Sequence, residues 1–153
     1  MVRVIAGVDP GKFGGIAFHL SDTPNTILVF DMPIAGGEVD GNALNRIVER
    51  FAPQEVWIER VHSLPTDGVA SSFAFGYGCG VVRGVFDANQ VRIERVTPTT
   101  WKKHFGLSKD KEESRAMAIR KFPVSAEQFA RKKDHGKAEA ALIALFGTEQ
   151  RRD

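Results

Sequence analysis

Four acidic residues lie in or beside apolar stretches of this 153-residue sequence. They are Asp9, Glu59, Asp134 and Glu139. A buried carboxylate is energetically costly unless it has a cation or a cage of hydrogen bonds. Carboxylates that converge from separate segments form the set of hard oxygen ligands that Mg²⁺ and Mn²⁺ prefer. Two such ions about 3.5–4 Å apart are a common means of hydrolysing phosphodiesters, so the pattern points to phosphodiester chemistry.

Each carboxylate taken alone also has a structural explanation. Asp9 could initiate the turn at Pro10, and Glu59 could be a charge on an edge strand. Glu139, the only charged residue of the stretch 138–146, could pair with Lys137 or Arg131. A shared metal site explains the carboxylates together, and we favour it.

The hydrophobic pattern indicates the elements that would position these residues. Strands are expected at residues 2–9, 16–20, 26–31, 55–61 and 91–96, and helices at about 44–51, 68–86, 108–121 and 136–146. Ser108 is the expected N-cap of the third helix, and Gly147 the expected C-cap of the last. Short turns join the first three strands, so these should form an antiparallel meander. The alternation of helix and strand that follows predicts a five-stranded mixed sheet with helices on both faces.

This arrangement would bring three of the carboxylates together. If the first and fourth strands are parallel neighbours, Asp9 and Glu59 lie near adjacent strand ends. Glu139 shares a helix face with Leu142 and Ile143, so that face should pack inward over the same point. Like charges raise one another's pKa, which favours a bound metal.

Composition restricts the class of protein. The chain has the length of one domain, residues 1–153, and its charge is uneven, because residues 95–137 carry twelve Lys and Arg against five Asp and Glu. A segment so basic favours a polyanionic partner such as nucleic acid.

The sequence also predicts a cytoplasmic protein without membrane contact. It has a single cysteine, Cys79, no signal-peptide pattern, and no apolar run near the ~20 residues of a membrane span.

A cluster of glycines in the second predicted helix superficially suggests a dinucleotide loop. These are Gly76, Gly78, Gly80 and Gly84. No strand precedes them and their spacing differs from Gly-x-Gly-x-x-Gly, so we expect no nucleotide cofactor. Close packing of helices, across a dimer or within the chain, is the preferred explanation.

Several of these residues carry a resemblance to a known family. Gly7-Val8-Asp9-Pro10-Gly11 followed by Gly15, then Ile58-Glu59, then Asp134 and Ala138-Glu139-Ala140, resemble the RuvC family of Holliday junction resolvases within the ribonuclease H-like superfamily. The compact phage and prophage branch is the most similar. The resemblance covers nearly the whole chain, and it implies a dimeric, Mg²⁺-dependent endonuclease that nicks opposed strands of a four-way DNA junction, in a bacterial cell or a phage-infected host. Two ions per site are implied, with Mn²⁺ as a substitute.

The resemblance also implies roles for individual residues. Asp9, Glu59 and Glu139 match three metal ligands. The family commonly places an Asp or His three residues before the last acid, but that position is Gly136 here. We therefore prefer Asp134 as the fourth ligand, with His135 as a substitute or proton shuttle.

Residues that contact DNA are implied in the same way. Lys102 and Lys111 resemble lysines that contact the scissile phosphates, and Lys12 is a further candidate. His62 stands about where the family has an aromatic wedge at the junction centre, a role that Phe73 or Phe75 could take over. The alternative functions are a ribonuclease acting on RNA or an RNA–DNA hybrid, and a non-catalytic junction-binding protein.

Overall fold

A computed structural model describes residues 1–150 and has a five-stranded sheet at its centre. The strands of this sheet are β1 Val4–Asp9, β2 Gly15–Leu20, β3 Leu28–Asp31, β6 Glu55–Glu59 and β7 Arg92–Val96. Two short strands, β4 Ile34–Ala35 and β5 Glu38–Val39, form a separate two-stranded sheet. The helices are α1 Gly41–Phe51, α2 Val69–Ala88, α3 Pro98–His104, α4 Lys111–Lys121 and α5 His135–Glu149, with 3₁₀ segments at Pro123–Phe129 and Lys132–Asp134.

The sheet has the predicted mixed topology. Its strand order is β3-β2-β1-β6-β7. β1, β2 and β3 pair antiparallel as a meander, whereas β6 is parallel to β1 and β7 is parallel to β6. The expected adjacency of the first strand and the strand that ends at Glu59 is therefore confirmed.

Helices cover both faces of the sheet, as predicted. Alternate residues of β1 (Val4, Ala6 and Val8) join a core that includes Leu44 of α1 and Phe86 of α2. The other face packs against α5, beyond which α4 and the 3₁₀ segment Pro123–Phe129 complete a second core. Because α5 lies between the sheet and these outer elements, its residues 138–147 are all buried, which explains why this helix is apolar on every side.

The contact between α5 and β1 is backbone against backbone at Gly7. A Cβ atom on Gly7 would lie 2.3 Å from the amide nitrogen of Ala144 and 2.4 Å from the carbonyl oxygen of Ala140. No side chain fits that space, so glycine is required by the close approach of the helix to the strand. This contact fixes the height of α5 above the centre of the sheet.

The structure corrects several predicted boundaries. Gly147 is not a C-cap, because α5 continues to Glu149, and a Cβ on Gly147 would lie 2.2 Å from the Trp57 ring. The N-cap of α4 is Asp110 instead of Ser108, since the Asp110 side chain accepts from the amide of Glu112. Ser108 instead donates to Glu113. Strand β6 ends at Glu59, two residues earlier than predicted.

Two elements were missed by sequence analysis. The strands β4 and β5 form a short hairpin around Gly36 and Gly37, both with positive φ. The helix α3 was also missed, although Thr97 caps it and Pro98 occupies its first turn, a recognisable helix-start pattern.

Helix α2 presents an unusual exposed surface. Its buried residues are Gly78, Val82 and Phe86, whereas Phe73 is 75% exposed and Tyr77 51% exposed. Gly76, Gly80 and Gly84 have open space where a Cβ would stand, so these three do not pack against the protein's own sheet. By length and composition alone, α2 is one described helix that could cross a membrane. Small residues and an Arg83–Asp87 ion pair interrupt the apolar run of this helix.

We predict that Gly7→Ala destabilises the protein by about 3 kcal/mol, because the new methyl group displaces the backbone of α5. Urea unfolding followed by circular dichroism measures the change. Gly68→Ala is the matched control, since its Cβ meets nothing within 4 Å and its φ of −69° suits alanine. Equal stability of the two variants would contradict the backbone contact.

Candidate metal centre and nucleic-acid interface

Two of the candidate ligands lie at the carboxyl ends of neighbouring parallel strands. Asp9 is the last residue of β1 and Glu59 the last of β6. Val8 pairs with Ile58 in the sheet register, so the residues that follow are adjacent. Both side chains share the sheet face of Gly7 because side chains alternate along a strand. That is the face covered by α5.

The third ligand comes from α5. Glu139 lies just beyond the first turn of the helix and is 5% exposed. The close contact at Gly7 lowers α5 onto the sheet, so Glu139 reaches the strand ends. Carboxylate oxygens of Asp9, Glu59 and Glu139 lie within 4.8 Å of one another. The predicted convergence of these residues is confirmed in position.

Burial and mutual repulsion disfavour the charged forms of this trio. Burial, and then the charge of Glu139, raises the pKa of Asp9 to about 6, although a hydrogen bond from the Gly11 amide opposes the shift. Burial, and then the charge of Asp9, raises the pKa of Glu59 to about 7. Without a cation, at least one of these carboxyls therefore holds a proton near neutral pH.

The trio fits the donor set of a divalent metal centre. Three carboxylates from three separate elements supply hard oxygen ligands, and Glu59 and Glu139 are buried. None of the ion pairs between described residues involves Asp9, Glu59 or Glu139. A cation would relieve the repulsion that raises these pKa values, so the site is suited to Mg²⁺ or Mn²⁺.

Asp134 lies outside the trio and has other partners. It is 1% exposed, and its carboxylate accepts from the side chain and backbone of Arg131 and lies 3.4 Å from Lys137 Nζ. Burial opposes its ionisation, but the hydrogen bonds from Arg131 and the charge of Lys137 prevail and lower the pKa of Asp134 to about 2. Arg131 and Lys137, the suggested structural partners of Glu139, thus serve Asp134 instead.

His135, unlike Asp134, interacts electrostatically with a member of the trio, Asp9. Its Nδ1 atom is buried and has no hydrogen-bond partner among the described residues. Burial and the charge of Lys111 lower the pKa of His135, whereas the charge of Asp9 opposes the shift. A neutral imidazole with an unpartnered ring nitrogen is suited to bind a metal.

Two of the predicted DNA-contacting lysines act electrostatically on the trio. Lys111 is the exposed first residue of α4, and its charge lowers the pKa of both Asp9 and Glu59. Lys102 of α3 acts on Glu59 in the same direction, and its ammonium lies 5.5 Å from the Trp101 ring centroid. Because both charges act on the trio, they would also attract a phosphate bound there.

The other predicted DNA contacts lie in loops and on α2. His62 is exposed in the loop between β6 and α2. Phe73 and Phe75 line a cavity of about 340 Å³, together with Tyr77 and with Lys12 from the loop after Asp9. The structure thus brings Lys12 beside the aromatic residues suggested as wedge substitutes.

Sequence analysis missed the residue that orients Glu59. Trp101 is fully buried, and its indole Nε1 donates a hydrogen bond of 2.8 Å to Glu59 Oε2. This bond opposes the rise in the pKa of Glu59. The sequence signal for this hydrogen bond was the indole N–H of Trp101, since a buried tryptophan usually has a polar partner. The sequence does not indicate which residue that partner is.

The chain was compared with known proteins and solved structures. No protein-family model and no curated protein matches it. Thermus thermophilus RuvC in complex with a Holliday junction substrate matches with a TM-score of 0.65 and 18% identity, over 96% of this chain and 95% of that one. The fold is that of RuvC.

Two further structures agree with this fold. A second Thermus thermophilus RuvC structure has a TM-score of 0.65 at 17% identity, over 97% of this chain and 96% of that chain. The fowlpox virus Holliday junction resolvase has a TM-score of 0.58 at 18% identity, over 97% and 98%. The sequence resemblance to the RuvC fold is thereby confirmed, whereas membership of a phage-like branch stays a prediction.

We predict that the metal-free protein loses stability as the pH rises from about 4 to about 7. The folded state binds the protons of Asp9 and Glu59 more tightly than the unfolded state does, so the free energy of unfolding falls across this window. Glu59→Gln should therefore be more stable than the wild type at pH 8 in EDTA, by roughly 1–3 kcal/mol. Urea unfolding measures this difference, which should vanish near pH 4. An equal difference at both pH values would refute the assignment.

We also predict that Trp101→Phe raises the pKa of Glu59 further, because the hydrogen bond from the indole N–H is lost while an aromatic ring still fills the buried space. Carbon-detected NMR titration of the glutamate carboxyls follows this change. Trp57→Phe is the matched control, since Trp57 Nε1 donates a similar bond of 2.9 Å to Glu55 instead. The result to be expected from that variant is an unchanged Glu59 titration.

Proposed function

We propose that this chain is a metal-dependent endonuclease that resolves four-way DNA junctions by paired nicking. The observation that carries the proposal is the convergence of Asp9, Glu59 and Glu139 within 4.8 Å on a RuvC fold. One of the similar structures is RuvC bound to a Holliday junction substrate, which suggests the same class of substrate here. The basic segment 95–137 supports a DNA partner.

In this proposal the trio holds Mg²⁺, or Mn²⁺ as a substitute, with two ions per site. His135, instead of Asp134, is the fourth ligand, because its Nδ1 is buried without a partner whereas Asp134 is engaged by Arg131. Bound divalent ions would supply Lewis acidity toward the scissile phosphate and an attacking water.

The protein's own residues would bind and orient the substrate strand. Lys111 and Lys102 offer positive charge beside the trio, where the phosphate gains negative charge during hydrolysis. Trp101 keeps Oε2 of Glu59 fixed, so that this carboxylate need not reorganise during the reaction. Lys12 extends the positive surface along the strand that leaves the site.

The test is cleavage of a synthetic four-way junction with Mg²⁺, Mn²⁺ or EDTA. We predict that Asp9→Asn abolishes cleavage and keeps junction binding, because the amide is a poor ligand for two cations and the basic surface is unchanged. Cleavage gels and binding measured in Ca²⁺ separate the two effects. Wild-type cleavage by this variant would overturn the metal-site proposal.

The same assay separates the alternative functions. A ribonuclease would cleave an RNA–DNA hybrid in preference to the junction. A non-catalytic binding protein would cleave neither substrate, although it would still bind the junction. A pure binding protein gains nothing from three clustered carboxylates that repel phosphate, so we place this alternative last.

We further propose a two-fold symmetric homodimer formed through α2. A four-way junction has two equivalent strands to be nicked, and a symmetric pair of sites is the simplest match. Val69, Phe73 and Tyr77 repeat at intervals of four residues on the exposed face of α2, beside the open Gly76, Gly80 and Gly84. Partner backbones can approach closely at such glycines. This face favours a protein partner over a membrane because it includes the Arg83–Asp87 pair.

We predict that Gly80→Arg converts the dimer into a folded monomer, since a long cation blocks the close approach. Light scattering at micromolar concentration gives the mass. Val124→Arg is the matched control, because Val124 is 74% exposed on the 3₁₀ segment that packs on the opposite sheet face. A wild-type protein that is monomeric with and without junction DNA would exclude a stable dimer.

A cytoplasmic location remains a prediction from the sequence.

A further inference from the structure

An exposed aromatic ring lies in the loop that follows Asp9. Phe13, in the loop between β1 and β2, is 77% exposed. The ammonium of Lys12 lies 5.9 Å from its ring centroid, and no other aromatic residue of the described chain contacts that ring. Most of the ring surface is therefore available to a ligand.

The loop that holds Phe13 is fastened to the metal centre. The Gly11 amide donates to Asp9 Oδ1 at 3.2 Å, and the Gly14 amide donates to the Gly11 carbonyl at 2.8 Å. The Gly14 carbonyl in turn accepts from the amide of Met32. Because these bonds fix both ends of a short turn, Phe13 has a defined position relative to Asp9.

A cavity of about 220 Å³ adjoins the ring. Lys12, Phe13, Lys133 and Arg131 line it, together with Asp31 and Asp134. Arg131 is engaged by Asp134, whereas Lys12 and Lys133 form no ion pair within the described chain. The cavity thus combines an aromatic platform with two free cations. The Asp31 carboxylate offers an acceptor to the polar edge of a base.

This combination is suited to single-stranded nucleic acid. Proteins that bind unpaired strands stack bases on exposed aromatic rings and hold the phosphates with basic side chains. The loop at residues 10–14 directly follows Asp9 and is bonded to its carboxylate, so it is a near neighbour of a strand whose phosphate lies at Asp9. A junction supplies unpaired or readily unstacked bases at its branch point. A hydrophobic protein partner would gain little from the two unpaired lysines.

We propose that Phe13 stacks on an unpaired nucleobase adjacent to the scissile phosphate, with Lys12 and Lys133 binding the flanking phosphates. The position next to the scissile phosphate rests on the proposed function, whereas the stacking site rests on Phe13, its cations and the cavity. The site is separate from the aromatic cavity beneath α2, which lies across Lys12 from it.

The experiment uses photo-crosslinking of 5-iododeoxyuridine, which reacts with an aromatic ring stacked on it. The analogue is placed singly at positions around the branch point of a four-way junction, and also in a single-stranded oligonucleotide. The protein carries Asp9→Asn so that the DNA stays intact. Peptide mass spectrometry identifies the crosslinked residue, and fluorescence anisotropy measures affinity.

We expect one junction position to crosslink to Phe13. Adding Phe13→Ala should remove that crosslink and weaken binding about 5- to 150-fold, the range typical of one lost base stack. Phe13→Trp should restore affinity, because it keeps an aromatic face. Val124→Ala, a change at an equally exposed apolar residue, should leave binding unchanged. Circular dichroism confirms that each variant is folded.

The outcomes distinguish this inference from the proposed function. Junction binding that Phe13→Ala leaves within twofold, or crosslinks only to α2 aromatics, would overturn the stacking site and leave the junction nuclease standing. Binding of the single strand with a Phe13 crosslink, but no preference for the junction, would support the stacking site and count against a junction substrate. Absence of DNA binding to either substrate would refute both.

Discussion

The contact of α5 with β1 determines both the packing of the protein and the geometry of its candidate site. At Gly7 the helix backbone touches the strand backbone with no side chain between them. A helix held farther away by side chains would leave Glu139 too distant from the strand ends. The same contact allows small residues such as Ala140 and Ala144 to fill the second core. Core packing and ligand convergence are thus one geometric condition.

The site stores electrostatic repulsion that the rest of the fold must offset. Asp9 and Glu59 have raised pKa values because burial and neighbouring charges disfavour their ionised forms. Natural domains have a net free energy of unfolding of only about 5–15 kcal/mol. The energetic cost of this carboxylate cluster is therefore a substantial fraction of that stability. Burial of α5 on all sides supplies apolar contact close to the repulsion. A bound cation would convert the unfavourable cluster into a favourable one.

Sequence patterns predicted the sheet because each strand is bounded by turn residues, and the short connections permit only a meander. They predicted the trio because a charged residue inside an apolar run is conspicuous. They could not predict the surroundings of Asp134, because three side chains compete for it and the sequence does not rank Arg131, Lys137 and a metal. The role of Trp101 depended on the docking of α3, a helix too short to show periodicity. Gly147 resembled a C-cap because only the fold reveals that the Trp57 ring lies against it.

The carboxylates and the proposed DNA contacts occupy different kinds of structure. Asp9, Glu59 and Glu139 lie on strands and a helix that form the core. By contrast, Lys12, Phe13 and His62 lie in exposed loops, where a substitution disturbs little packing. Under the proposed function, the part of the protein that performs the chemistry is separate from the part that selects the substrate. Changes in the loops would then alter the range of branched nucleic acids that bind without a loss of folding stability, so substrate range would be the property of this architecture most open to change.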